Sequence, residues 1–149
     1  MLKKVELLKC PVCDTVVEVL AECGLEMVCC GPAMIPLAKR TAENTDDSHA
    51  LLVTWSKDGL HVKIGTDGHC MEEDHFISWV EVRTPSTCYR QFLQPGQPPC
   101  VSFAIDAGDA VVRAYCNVHG LWQAEAQQPR SSAPVARLAG RHRRLPSAV

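Results

Sequence analysis

Apolar and polar residues alternate with a period of two through the middle of the chain. In "LLVTWSKDGLHVKIG", residues 51–65, Leu60, Val62 and Ile64 alternate with His61 and Lys63. That is the pattern of a strand with one buried and one wet face. Two such runs flank Lys57-Asp58-Gly59, which predicts a hairpin with Gly59 at positive φ. "HFISWVEVRT" (75–84), "YRQFLQ" (89–94), "CVSFAI" (100–105) and "AVVRAYC" (110–116) predict further short strands between turns rich in Pro, Gly and Asp. Six or seven short strands without a helical period predict an all-β fold, an antiparallel sandwich over residues 37–126.

The flanks differ in composition. Residues 1–36 hold five of the nine cysteines. So short a segment is too small to fold on an apolar core alone and calls for a metal or a partner. Residues 127–149, "QQPRSSAPVARLAGRHRRLPSAV", are rich in Pro, Ser, Ala and Arg and predict a disordered basic tail. Charge follows the same division. Residues 1–126 carry ten basic and seventeen acidic side chains, and residues 127–149 carry five arginines and no acid. An acidic body argues against nucleic acid as the main partner.

No apolar run spans a bilayer and no signal-peptide pattern opens the chain, so a cytoplasmic protein without membrane attachment is expected. Nine thiols, an odd number, then point to metal ligation before disulfides. Cys10 and Cys13 stand at C-x-x-C spacing, and Cys29-Cys30 are adjacent. Four thiolates suit zinc or a single iron, and spacing does not choose between them. Two neighbouring cysteines on one ion imply a distorted tetrahedron. Cys23 is spare.

"YCNVHGLW" sets Cys116 three residues before His119, too few donors for an ion. His49, His69 and His75 also fall in predicted loops or strand ends, which converge at one end of a sandwich. Four imidazoles and one thiolate leave one coordination position open, which suits iron better than structural zinc. His61, on the wet face beside Lys63, reads as solvated, and His142 lies in the tail. Cys70 reads as a small packed thiol, and Cys88 and Cys100 as free thiols. Trp79 and Trp122 are candidates to shield the iron site, though core packing explains both.

In order along residues 1–126, "CPVC", "CC", a histidine at 49, "GHCMEEDHFISWVEV" and "YCNVHGLW" resemble desulfoferrodoxin, the two-iron superoxide reductase family. The resemblance implies a desulforedoxin-like domain (1–36) whose iron is held by Cys10, Cys13, Cys29 and Cys30. It implies an immunoglobulin-like sandwich (37–126) carrying a ferrous site of His49, His69, His75, His119 and axial Cys116. It also implies reduction of superoxide to hydrogen peroxide and a rubredoxin-like electron donor, with a homodimer through the small domain as the preferred assembly. A one-electron carrier, or a structural protein with zinc in the four-cysteine site, is the alternative. The family usually places Glu-Lys before its first histidine ligand, and here those positions are Asp47 and Ser48. They are the candidate catalytic residues. Loss of the lysine predicts slower association with superoxide, unless Lys39, Arg40 or Lys63 replaces it.

Overall fold

The computed structural model describes residues 6–22, 24–41, 47–106 and 108–127, with the side chain of Asp47 excepted. The tail expected over 127–149 therefore lies, apart from Gln127, outside the described residues, as do Cys23 and His142. The described residues contain no α-helix, and none of their helices is long and apolar enough to cross a membrane.

Among the described residues, eleven strands form three sheets. The N-terminal sheet has the order β2-β1-β3, from β1 (Leu7–Lys9), β2 (Val16–Glu18) and β3 (Ile35–Pro36). The sandwich has a five-stranded sheet, β4-β11-β10-β7-β8, and a three-stranded sheet, β5-β6-β9. Its strands are β4 (Lys39–Arg40), β5 (Leu51–Ser56), β6 (Gly59–Ile64), β7 (Ile77–Arg83), β8 (Cys88–Phe92), β9 (Cys100–Phe103), β10 (Ala110–Cys116) and β11 (Gly120–Ala126). The predicted hairpin is present as β5–β6, paired from Leu51↔Ile64 to Ser56↔Gly59. Gly59 has φ 125°, and a Cβ there would run into the carbonyl of Phe103 on the neighbouring chain segment. The sequence pattern missed β4, a two-residue strand that pairs parallel to β11, with Leu121↔Lys39 and Trp122↔Arg40.

Alternation dictates the core. Leu60, Val62 and Ile64 from β6 and Val101 and Phe103 from β9 meet Ile77, Val80 and Val82 from β7, with Val112, Ala114 and Cys116 from β10. Each large side chain fully removed from water here contributes roughly 1.5–3 kcal/mol. His61 is not merely solvated: its ring bridges Ser56 Oγ at 2.9 Å and Ser102 Oγ at 2.7 Å, crossing all three strands of the smaller sheet. Cys88 and Cys100 lie in different sheets and both are free thiols.

The outer face of the five-stranded sheet is covered as well, and this was not legible in the sequence. Strand register lines up Trp79, Tyr115 and Leu121 in one row, and Arg90, Glu81 and Arg113 in the next. Leu7 of β1 packs on the first row, where Trp79 and Tyr115 stack with ring centres 5.7 Å apart. Glu18 of β2 enters the second. It takes hydrogen bonds from Arg83 Nη1 at 2.7 Å and Arg90 Nη2 at 2.8 Å, with Arg113 at 3.7 Å. Glu81, fully buried, binds Arg90 and Arg113, and Arg83 lies 3.5 Å away. Three guanidiniums and two carboxylates thus join the N-terminal sheet to the sandwich.

Candidate metal centres

Both candidate centres assemble from the residues the sequence singled out. In each, one ligand-type atom per residue lies within 4.8 Å of every other.

The first gathers Cys10, Cys13, Cys29 and Cys30. Cys10 follows β1, and its Sγ receives the N–H groups of Val12 (3.4 Å) and Cys13 (3.5 Å), as a C-x-x-C turn allows. Cys29 and Cys30 sit in a turn where Cys29 N–H bonds Pro32 O at 3.2 Å. Their sulfurs are 3.8 Å apart, and Cys13 Sγ is 3.7 Å from Cys29 Sγ. Four sulfurs at about 2.3 Å from one ion in a regular tetrahedron stand about 3.8 Å apart. Placing adjacent cysteines on one site also marks the backbone. Cys30 has φ 54°, an uncommon conformation for a residue with a Cβ. Thr15 side-chain and backbone hydrogen bonds hold the Cys13 thiol down to about 6, while Cys13, Cys10 and Cys30 push Cys29 up to about 12. Crowded thiols cannot all ionise without a cation to offset their repulsion. Cys13→Ser is expected to release one metal ion per chain and leave a second in place. Metal analysis checks this, and full retention of both ions would contradict the site.

The second centre lies at one end of the sandwich. His49 closes the 3-10 turn Asp47–His49 before β5, His69 follows β6, and His75 precedes β7. Cys116 ends β10, and His119 belongs to the turn into β11. A bulge between Tyr115 and Cys116 re-aims the end of β10. The four imidazoles form a square. Neighbouring ring centres are 4.5 Å (His49–His69), 4.7 Å (His69–His75), 4.8 Å (His75–His119) and 4.7 Å (His119–His49) apart. Across it, His49 and His75 are 6.2 Å apart. Successive rings stand edge to face, so four ring nitrogens point inward.

Those nitrogens face one another. His49 Nε2 is 3.0 Å from His69 Nε2, and His75 Nε2 is 3.1 Å from His119 Nδ1. Adjacent nitrogens about 2.1 Å from one ion in a square plane are separated by about 3.0 Å. A second partner fixes the tautomer of His69. His69 Nδ1 donates to the Cys70 carbonyl, which accepts only, so its Nε2 carries the lone pair. Ser48 Oγ lies 2.9 Å from His49 Nδ1. Lone pairs directed at a common point are repulsive until a cation occupies it. Cys116 Sγ completes the set, 3.5 Å from His119 Nδ1. The N–H of His119 reaches it at 3.4 Å, as expected for the Asn117–His119 turn. Burial pushes the Cys116 thiol up, and the N–H groups of His119 and Val118 partly offset this.

Several neighbours gain roles the sequence left open. Asn117 stitches the His75 loop to the Cys116 turn. Its Oδ1 accepts from Phe76 N–H at 2.9 Å, its Nδ2 donates to Asp74 O at 2.9 Å, and its own N–H donates to Phe76 O at 3.2 Å. The sequence signal was an amide side chain set between two candidate ligands. Trp122, buried, stacks on His49 at 4.4 Å and 14°, whereas Trp79 belongs to the opposite face of the sheet. Cys70 is exposed and not packed, because its carbonyl turns in to hold His69. The side chain of Asp47 lies outside the described residues.

Gly65 locks two ligand-bearing segments together. Its φ is 78°, and a Cβ there would stand 2.6 Å from Ser48 O and 2.7 Å from His69 N. Gly65→Ala is expected to push the His49 turn away from the His69 loop and lower metal affinity of this centre at least about tenfold. Competition with a chelator measures this. Unchanged affinity would show that the loops relax freely.

The desulfoferrodoxin family model matches residues 42–125. The chain belongs to the desulfoferrodoxin family. Desulfoferrodoxin of Syntrophotalea carbinolica is 42% identical over 125 residues, covering 84% of this chain and 99% of that protein. A desulfoferrodoxin homologue of Archaeoglobus fulgidus is 35% identical, covering 83% and 98%. Among solved structures, the superoxide reductase of Treponema pallidum superposes with a TM-score of 0.66 at 22% identity, covering 81% of this chain and 98% of that one. That likeness concerns the fold, and it bears out the all-β architecture expected of the family.

Proposed function

We propose that this chain is a superoxide reductase, with iron at both centres. The observation that carries the reading is the second centre: four imidazoles in a square and one thiolate, with no sixth side chain grouped with them among the described residues. Such a set leaves a coordination position open, which an electron carrier does not use. A ferrous ion held there would supply the one electron that, with two protons from solvent, takes superoxide to hydrogen peroxide.

The chain's own groups prepare that step. Cys116 presents a thiolate whose donation is tempered by the N–H groups reaching its sulfur. The Cys70 carbonyl holds His69 in the tautomer that directs its Nε2 lone pair inward, and Ser48 Oγ anchors the His49 ring at Nδ1. Ser48 is thus a positioning residue in this reading. Trp122 covers one face of His49 and excludes water from it.

The four-cysteine centre is closed by its own sulfurs and fits electron relay from a rubredoxin-like donor; zinc would fit it equally well in shape. Residues 1–36 and 37–126 are the two domains of this reading. Exposed Val12, Leu20, Leu25, Val28 and Ile35 on the smaller one support pairing with a second copy. The described cysteines are free thiols, which suits the reducing cytoplasm. Rapid mixing of the iron-loaded, reduced protein with pulsed superoxide tests the function. Stoichiometric peroxide without oxygen release from a second superoxide is expected. Inert protein would reject the reading.

A further inference from the structure

The substrate proposed above is an anion, and the rim of its site is acidic. Asp67 precedes His69, and Glu72, Glu73 and Asp74 fill the loop before His75; all four are exposed. Ser48, beside His49, is neutral. Some cation must offset this field for fast capture of an anion.

Most of the described cations are committed elsewhere. Arg83, Arg90 and Arg113 belong to the ionic cluster on the outer face. Lys9 pairs with Asp14 at 2.9 Å. Lys57 lies in the β5–β6 turn, at the end of the sandwich away from the histidines. Lys39 lines a groove on the outer face with Glu6, Leu7 and Arg83. Lys63 donates to the Thr66 carbonyl at 2.7 Å.

Arg40 differs. Parallel pairing of β4 with β11 sets it opposite Trp122, while its neighbour Lys39 falls opposite Leu121 on the other face. Its guanidinium carbon lies 5.7 Å from the Trp122 ring centre, and that ring stacks on His49. Arg40 is exposed, so its charge stands between the neutral indole and solvent.

We propose that Arg40, mounted on Trp122, is the cation that draws anions to the open face of the five-donor centre. This rests on the reading of superoxide as substrate, and it predicts a role in capture and none in holding the metal. Arg40 is a positioning charge that acts through the field, so its contribution fades with salt.

The test compares iron-loaded wild-type protein with Arg40→Gln, Arg40→Lys and, as a control, Lys63→Gln. Two quantities are read against ionic strength: the second-order rate with superoxide, and the affinity of the oxidised protein for azide from its visible spectrum. Arg40→Gln is expected to slow capture and weaken azide about three- to tenfold at low salt, with a shallower salt dependence. The deficit should close toward about 1 M salt, where the screening length is about 3 Å. Arg40→Lys should keep most of both, and all variants should retain iron. Equal rates, azide affinities and salt slopes in wild type and Arg40→Gln would overturn the proposal. So would a loss in Arg40→Gln that salt does not alter, because packing on Trp122 would then be its only role. A wild type inert to superoxide would sink the functional reading alone, and the azide measurement would still decide the role of Arg40.

Discussion

In the proposed superoxide reductase, Cys116→Ser is expected to keep the β sandwich intact and to lower the superoxide rate of the iron-loaded protein by at least about 100-fold. Serine fills nearly the same volume at the end of β10, where the side chain is fully buried, so packing changes little. The chemistry changes a great deal. A hydroxyl does not ionise under conditions where a thiol at a metal site does, and it would donate far less electron density to a bound metal. Loss of a supporting hydrogen bond around a metal ligand already costs about 10- to 100-fold in affinity or activity, and loss of the ligand itself costs more. The visible absorption of the oxidised protein should fade with the thiolate. Circular dichroism, metal analysis and pulsed-superoxide kinetics on one preparation separate these effects. A variant with wild-type rate and wild-type colour would show that Cys116 is not the fifth donor.

The second large effect is expected away from the five-donor centre. Glu81→Ala should destabilise the protein by about 3–5 kcal/mol, because it removes one partner of a buried ionic cluster and leaves the other charges uncompensated. Glu81 is fully buried and Arg113 is 3% exposed, so water cannot step in for the missing carboxylate. Glu18 alone cannot neutralise three guanidiniums. Urea unfolding of the metal-loaded variant measures the loss, and a change under about 1 kcal/mol would show that the cluster is hydrated. Acid should act on the same cluster through Glu18. Burial raises its carboxyl, but Arg90 and Arg83 more than offset this and hold it below the ordinary value of 4.5. A depressed folded-state value means that Glu18 stabilises the fold above about pH 4.5. That contribution is lost as pH falls through the lower value, with the N-terminal sheet separating first.

How much of this was legible in one sequence follows from the range of the forces involved. The alternation in Leu60-His61-Val62-Lys63-Ile64 marked the β6 face, because strand side chains repeat every two residues whatever surrounds them. The ligand sets were also legible, since cysteine and histidine are scarce and few roles besides metal binding suit them at these spacings. Neither Lys39-Arg40 as a strand nor Glu18 as a bridge left any local trace. A two-residue parallel strand exists only because β11 is already there to pair with, and Glu18 looks like any charged strand residue until Glu81 and its arginines are placed beneath it.

The two tryptophans and the unassigned cations show the same division. Sequence could not tell Trp79 from Trp122 as a cover for the metal centre, since both stand in strands among apolar residues. Register decided it, turning Trp122 onto His49 and Trp79 onto Tyr115. Likewise Lys39, Arg40 and Lys63 were equal candidates until β4 docked on β11. The sequence by itself determined which side chains can bind metal and that the chain is built of strands, because ligand chemistry and side-chain period are properties of residues. Only tertiary structure decided which ring nitrogens face inward, which cation stands near them and what joins the two halves. Those are distances between residues far apart in the chain, set by packing and register together.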